Sequence, residues 1–206
     1  NIAKNKGINV LNDYFSFDAA KKISDTYQKA DFILAINALA HIPDLQSVFS
    51  GIEKLLTKKG IFISEDPYLL DVFDKVSYDQ IYDEHVFIFS LTSMQNICSK
   101  FNLEVFDVEY VNTAGGSLRY FISKKNTYKQ TINYKKLLNN EIKLNLLKKD
   151  IYIKFKKNCE NSKKYLVKLL ESLVVKKNTI CGYAATSKST TIFNYCNIGK
   201  NYINIS

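Results

Sequence analysis

The segment from Ala30 to Asn37 is an apolar run too short for an ordinary helix, and the spacing predicts a strand buried on both faces, as in parallel sheets. Pro43 and Asp44 then open an amphipathic pattern (Leu45, Val48, Phe49, Ile52, Leu55, Leu56) at helical spacing, which Lys59 and Gly60 end. Ile61 to Ser64 reads as the next buried strand, after which Glu65, Asp66, Pro67 and Tyr68 leave the sheet in a polar loop. A strand, a crossover helix and a second strand restrict the chain to a layered α/β architecture. The flanks repeat the pattern. Val10 and Leu11 give a short strand signal that turns at Asn12 and Asp13, and Ser16 to Ile23 predicts a helix with Asp18 as its cap. Ser90 to Lys100 predicts a helix and Leu103 to Val111 a strand. Asn112 to Gly116 reads as a turn, with Leu118 to Ile122 as its returning strand. The expected fold is a mostly parallel sheet ending in an antiparallel hairpin.

From Thr127 to Lys177 no Gly or Pro occurs in 51 residues, and apolar positions recur at helical spacing, which predicts one long helix or two. Thr179 to Tyr183 then resembles a strand, Ala184 to Ser189 a small-residue turn and Thr190 to Cys196 a helix start, together the opening of a second Rossmann-like unit. The expected divisions are residues 1–125, 126–177 and 178–206. With 206 residues and 46% apolar content the chain can bury a real core, which excludes disorder. No apolar stretch approaches the roughly 20 residues that cross a bilayer. Asn1 to Gly7 lacks the order of a signal peptide, and the chain reads as an interior piece of a longer protein.

The net charge of +9 is unevenly placed: residues 1–125 carry 13 basic and 16 acidic side chains, residues 126–206 carry 16 and 4. Only one of the 29 basic residues is arginine, and nucleic-acid surfaces lean on arginine forks, so neither nucleic acid nor membrane is expected as a partner. The lysines of the helical stretch read as a solvated face. Cys98, Cys159, Cys181 and Cys196 show no metal-ligand spacing and are expected as reduced, buried thiols in the cytoplasm.

Four places carry candidate chemistry. His41 follows the first apolar strand, at the carboxyl edge where open α/β sheets bind ligands; the alternative is a polar loop residue. His85 closes the cluster Tyr78-Asp79-Gln80-Ile81-Tyr82-Asp83-Glu84-His85, in which a carboxylate orients an imidazole base and a phenol donates to a developing oxyanion; the alternative is a solvated loop. Gly115-Gly116-Ser117-Leu118-Arg119 holds the sole arginine, a planar fork suited to carboxylate or phosphate, although its glycines also serve a hairpin. Gly182 to Thr191, with Lys188, joins a strand to a helix N-terminus and so offers an anion site, or only a tight turn.

These segments, in this order and together with Ala30 to Asp44, Glu65 to Leu69 and Asn194-Tyr195-Cys196, resemble the S-adenosylmethionine-dependent sugar C-methyltransferases. The resemblance implies a partial class I methyltransferase sheet, a long helical linker and the start of a Rossmann-like C-terminal domain. The zinc site of the family lies outside this chain, and no metal is expected. It further implies C-methylation of a nucleotide-linked keto-sugar, with His85 as the base that forms an enolate and Glu84 and Tyr82 assisting. S-adenosylmethionine is expected along Asp13, Asn37 and His41, and the sugar nucleotide at Tyr68, Arg119, Gly182 and Lys188. Ala114 and Ala184 stand where many relatives carry His and Gly. The contrasting expectation is a catalytically inactive fragment or a lysine-rich interaction module.

Overall fold

The computed structural model describes residues 2–113, 115–183 and 186–203; Ala114 and Ala184 lie outside them. After a single turn of helix α1 (Ile2–Asn5) come α2 (Phe17–Thr26), β1 (Ala30–Ile36), α3 (Leu45–Leu55), β2 (Leu56–Pro67), α4 (Leu69–Asp74), α5 (Leu91–Ser99), β3 (Leu103–Val111) and β4 (Ser117–Lys124). Three further helices follow: α6 (Ile132–Leu144), α7 (Lys149–Val175) and α8 (Ser187–Cys196). The sheet order is β1-β2-β4-β3, with β1 and β2 parallel and β4 antiparallel to both neighbours.

Helix starts follow their capping chemistry. Asp44 accepts from Ser47 N–H at 3.0 Å to begin α3, and Ser90 and Ser93 form a reciprocal box at α5. At α2 the cap is Ser16, which accepts from Ala19 N–H at 3.2 Å, not Asp18, which lies inside the first turn. Gly51 lets α3 approach α2: a Cβ there would lie 2.9 Å from Ser16 O.

The core forms where α3 and α5 cover one face of the sheet: Phe49, Ile52, Leu91, Met94 and Cys98 pack with Phe62, Val105, Val108, Leu118 and Ile122. Each such side chain contributes roughly 1.5–3 kcal/mol by leaving water. The expectation for β1 fails on one face. β1 is an edge strand, and Phe32, Leu34 and Ile36 are exposed while Ile33 and Ala35 pack toward the core. Two other expected strands are missing, since residues 8–12 are irregular and residues 179–183 hold only one bridge position, at Cys181. Cys98, Cys159 and Cys196 are buried free thiols, but Cys181 is exposed because no strand carries it inward. No helix among the described residues is long and apolar enough to cross a membrane.

Candidate active site

The segment Tyr78 to His85 leaves α4 through a 3-10 turn (Tyr78–Gln80), and hydrogen bonding from its own backbone fixes the imidazole. His85 Nδ1 lies 2.8 Å from Gln80 O. A carbonyl only accepts, so Nδ1 carries the proton and Nε2 presents its lone pair. Tyr82 Oη, 2.8 Å from Nε2, therefore donates to it. His41, in the 3-10 turn Leu39–His41, donates from Nδ1 to Glu84 O at 2.8 Å, and the two imidazole centroids are 4.8 Å apart. Burial pushes the His85 pKa down; the Gln80 carbonyl opposes this, His41 and Lys188 lower it further, and Glu84 raises it. Tyr82 is pushed up by burial and then by Glu84, which keeps the phenol a donor.

The structure thus gathers His85, Tyr82 and His41, with one correction. The group that orients His85 is the Gln80 carbonyl rather than the Glu84 carboxylate; Glu84 supplies charge and, through its main chain, the anchor for His41.

Two adjacent acids at the carboxyl end of β2 hold the surrounding loops, pointing to opposite faces as strand neighbours must. Asp66 is fully buried; it accepts from Ser64 Oγ at 2.6 Å and from Ala40 N–H at 3.1 Å, and burial pushes its carboxyl up to about 6. Glu65 accepts from Thr113 Oγ1 at 3.1 Å and from Arg119 Nε and Nη2 at 3.1 and 2.8 Å. Neither acid stood out in the sequence, where the pair reads as a polar loop.

Arg119 does use its fork, but on carboxylates: the third contact runs from Nη1 to Glu109 at 2.8 Å. Two carboxylates therefore already occupy the guanidinium that the sequence offered to a nucleotide. Tyr68, the residue expected to meet the sugar, is fully buried, with its hydroxyl donating to Glu141 at 2.8 Å. Gly116, at φ 125°, abuts α4: a Cβ there would lie 1.7 Å from Asp71 Oδ2, and Lys75 Nζ joins Asp71 to Gly115 O.

Asn37 ends β1 in the left-handed region (φ 50°), its N–H donating to Glu65 O at 2.7 Å. Asp13 pairs with Lys22 at 3.3 Å. Beside Asn37, an apolar cavity of about 310 Å³ is lined by Phe15, Ile33, Ala35, Ala38, Leu39 and Ile42, among others. On the other side, α8 begins with a Thr186–Ser189 box and faces the His85 loop. Gly182 lies in the irregular segment that leads to it. A groove of about 340 Å³ runs between Ile81–Glu84 and Ser187, Thr190, Thr191 and Asn194.

Comparison with known proteins gives matches that run in series along the chain. Residues 112–206 match a family described as the C-methyltransferase C-terminal domain, and residues 2–108 match a methyltransferase domain. The C-methyltransferase NovU of Streptomyces niveus is 25% identical over 203 residues, which is 98% of this chain and 48% of that protein. The chain therefore spans about half the length of this curated relative. Among solved structures, a SAM-dependent methyltransferase from Anabaena variabilis is 17% identical, with 60% of this chain and 63% of that one covered and a TM-score of 0.43. Magnesium protoporphyrin IX methyltransferase from Synechocystis, with bound SAH, is 14% identical, with 47% and 46% covered and a TM-score of 0.36. Because the methyltransferase-domain match alone takes in more than half of its residues, the chain belongs to the methyltransferase family.

Proposed function

We propose that this chain is part of an S-adenosylmethionine-dependent C-methyltransferase acting on a nucleotide-linked keto-sugar, with His85 as its base. The observation that carries this reading is the unprotonated Nε2 of His85, kept so because the Gln80 carbonyl holds the ring proton on Nδ1, and bonded to a phenol. A sugar carbon becomes a nucleophile only after the C–H next to a ketone is deprotonated, so the reaction needs a neutral base and a donor for the enolate oxygen. His85 with its lowered pKa is neutral at pH 7, and Tyr82, kept protonated, is the donor that can turn from Nε2 to that oxygen. Glu84 steadies the imidazolium formed. The matched C-methyltransferase C-terminal domain and the name of the relative NovU support carbon as the methylated atom.

The chain's residues fit the methyl donor. The cavity beside Asn37 is apolar, Asn37 lies between its lining residues Ile36 and Ala38, and Asp13 is two residues before its lining Phe15, a set that suits a nucleoside with polar edges. These residues, with His41 at the same edge, would hold S-adenosylmethionine, which supplies a methyl group on a sulfonium. The hydroxyl-rich groove suits the sugar, and Lys188 in the first turn of α8, after the segment from Gly182, suits its phosphates. In this reading Tyr68 and Arg119 shape the site without touching substrate. Residues 1–125 form the methyltransferase unit, 126–177 the linker and 178–206 the start of the substrate-binding unit. The free thiols fit a reducing cytoplasm.

In the whole protein, His85→Ala is expected to lower kcat by about 10²–10⁴-fold with S-adenosylhomocysteine affinity, read by calorimetry, unchanged. In the parent, kcat/KM falls as acid protonates His85, at a pH below the usual histidine value because its pKa is lowered. Undiminished turnover by His85→Ala removes the assignment.

A further inference from the structure

The Asp66 carboxyl has no part in the chemistry above, yet it is fully buried and bonded to the turn that carries His41. Its two oxygens are both engaged, Oδ2 by Ser64 Oγ and Oδ1 by the N–H of Ala40, the middle residue of that turn. The carbonyl of the same Ala40 accepts from Phe87 N–H at 3.2 Å, two residues beyond His85, and His41 Nδ1 donates to Glu84 O, one residue before it. Asp66 is thus the fixed end of a chain of hydrogen bonds that grips the His85 segment on both sides. We propose that Asp66 is a positioning residue for His85: by holding Ala40 N–H it sets the Leu39–His41 turn and keeps the His41 ring against the His85 ring.

This assignment rests on the reading of His85 as the base. An ionised carboxylate holds an N–H about twice as strongly as a neutral acceptor does, so the grip is firmest with Asp66 charged. The charged and titratable groups around it are His41 on the turn, Glu65 on its own strand and Tyr120 on β4. Burial that lifts the carboxyl to about 6 places its loss of charge just below neutrality. Acid is expected to loosen the ring pair before it unfolds the protein.

The chain has only two histidines, so in protein with labelled imidazoles every ring signal belongs to this pair. The measurement is the nuclear Overhauser effect between the two rings in the full chain, with the Tyr82–His85 effect as an internal control. Asp66→Ala is expected to weaken the inter-ring effect several-fold and leave the control intact. Asp66→Asn, which still offers an oxygen to Ala40, is expected to restore most of it. In the parent the effect should weaken as pH falls through about 6, whereas in Asp66→Asn it should not. An inter-ring effect in Asp66→Ala equal to the parent's overturns the proposal, as does equal behaviour of the two variants. If Asp66→Ala fails to fold, the pH comparison decides, and a parent whose inter-ring effect ignores pH overturns it. Methyl transfer is not read in any arm, so a negative result here leaves the His85→Ala test standing, and an inactive protein still answers this one.

Discussion

Arg119, singled out by the sequence as a planar fork, spends that fork on two carboxylates. It is the only arginine among many lysines, and in the structure two of its nitrogens bind the buried Glu65 and the third binds Glu109. Arg119→Lys keeps the charge but cannot span both acids, and it is expected to destabilise the fold by about 1–2 kcal/mol in chemical denaturation. Supplying nucleotide sugar should not alter that loss if the fork is structural. His85 was legible as part of a cluster with Tyr82, because the two stand three residues apart. Its orienting group was not, because a main-chain carbonyl leaves no mark in a sequence. Asp66 was hidden for a related reason: a carboxyl that bonds to an N–H 26 residues away looks in sequence like any polar loop residue. Its linkage is also readable in bulk. A folded-state pKa raised from 3.8 to about 6 favours the protonated form, so this group's contribution is full below about 4 and is lost as pH rises through about 6. Asp66→Asn should therefore gain stability relative to the parent across that window, which urea titrations at the two ends measure.

At the scale of elements, the long stretch without Gly or Pro divides into α6 and α7 at Asn145, which takes the left-handed cap conformation (φ 54°) that glycine usually fills. Asn37, Asn102, Asn126 and Asn197 do the same elsewhere, so in this chain asparagine marks the breaks and a search for glycine overlooks them. The strand and helix of β3 and α5 were legible because local capping and alternation agree with their packing. Residues 179–183 were misread because a short apolar run becomes a strand only where a neighbour pairs with it. Helix α6 is tied to the rest by Glu141, which is buried and accepts from Tyr68 Oη, Leu91 N–H, Thr92 N–H and Thr92 Oγ1 at 2.6–2.8 Å. Four donors meet one carboxylate there. Glu141→Gln turns an NH₂ group toward donors, and a loss of about 1–3 kcal/mol is expected, with amide exchange at Leu91 and Thr92 accelerating first. Unchanged exchange at those two amides would show that α5 keeps its start without α6.

For the whole molecule, basic charge lies in residues 126–206 while the candidate base lies in the opposite part of the sequence. Helix α6, through Glu141, and helix α8, with Lys188 near His85, both bring the second part against the first. The α/β class was legible from the strand, helix, strand order, but the place of β1 at an edge was not, since order along the chain does not state order across a sheet. That order has a practical outcome for anyone dividing the protein. The two family matches part between residues 108 and 112, yet β4 belongs to the second match and sits between β2 and β3 of the first. Residues 2–108 expressed alone should lack a cooperative melting transition, because β2 and β3 lose the strand that joins them; a sharp transition in that piece would contradict the sheet order. Exchanging the second match between relatives would transplant one strand of the host's sheet along with its helices. In this protein the units that heredity can shuffle are therefore smaller than the unit that must fold, and a workable graft has to carry the whole hairpin to one side of the junction.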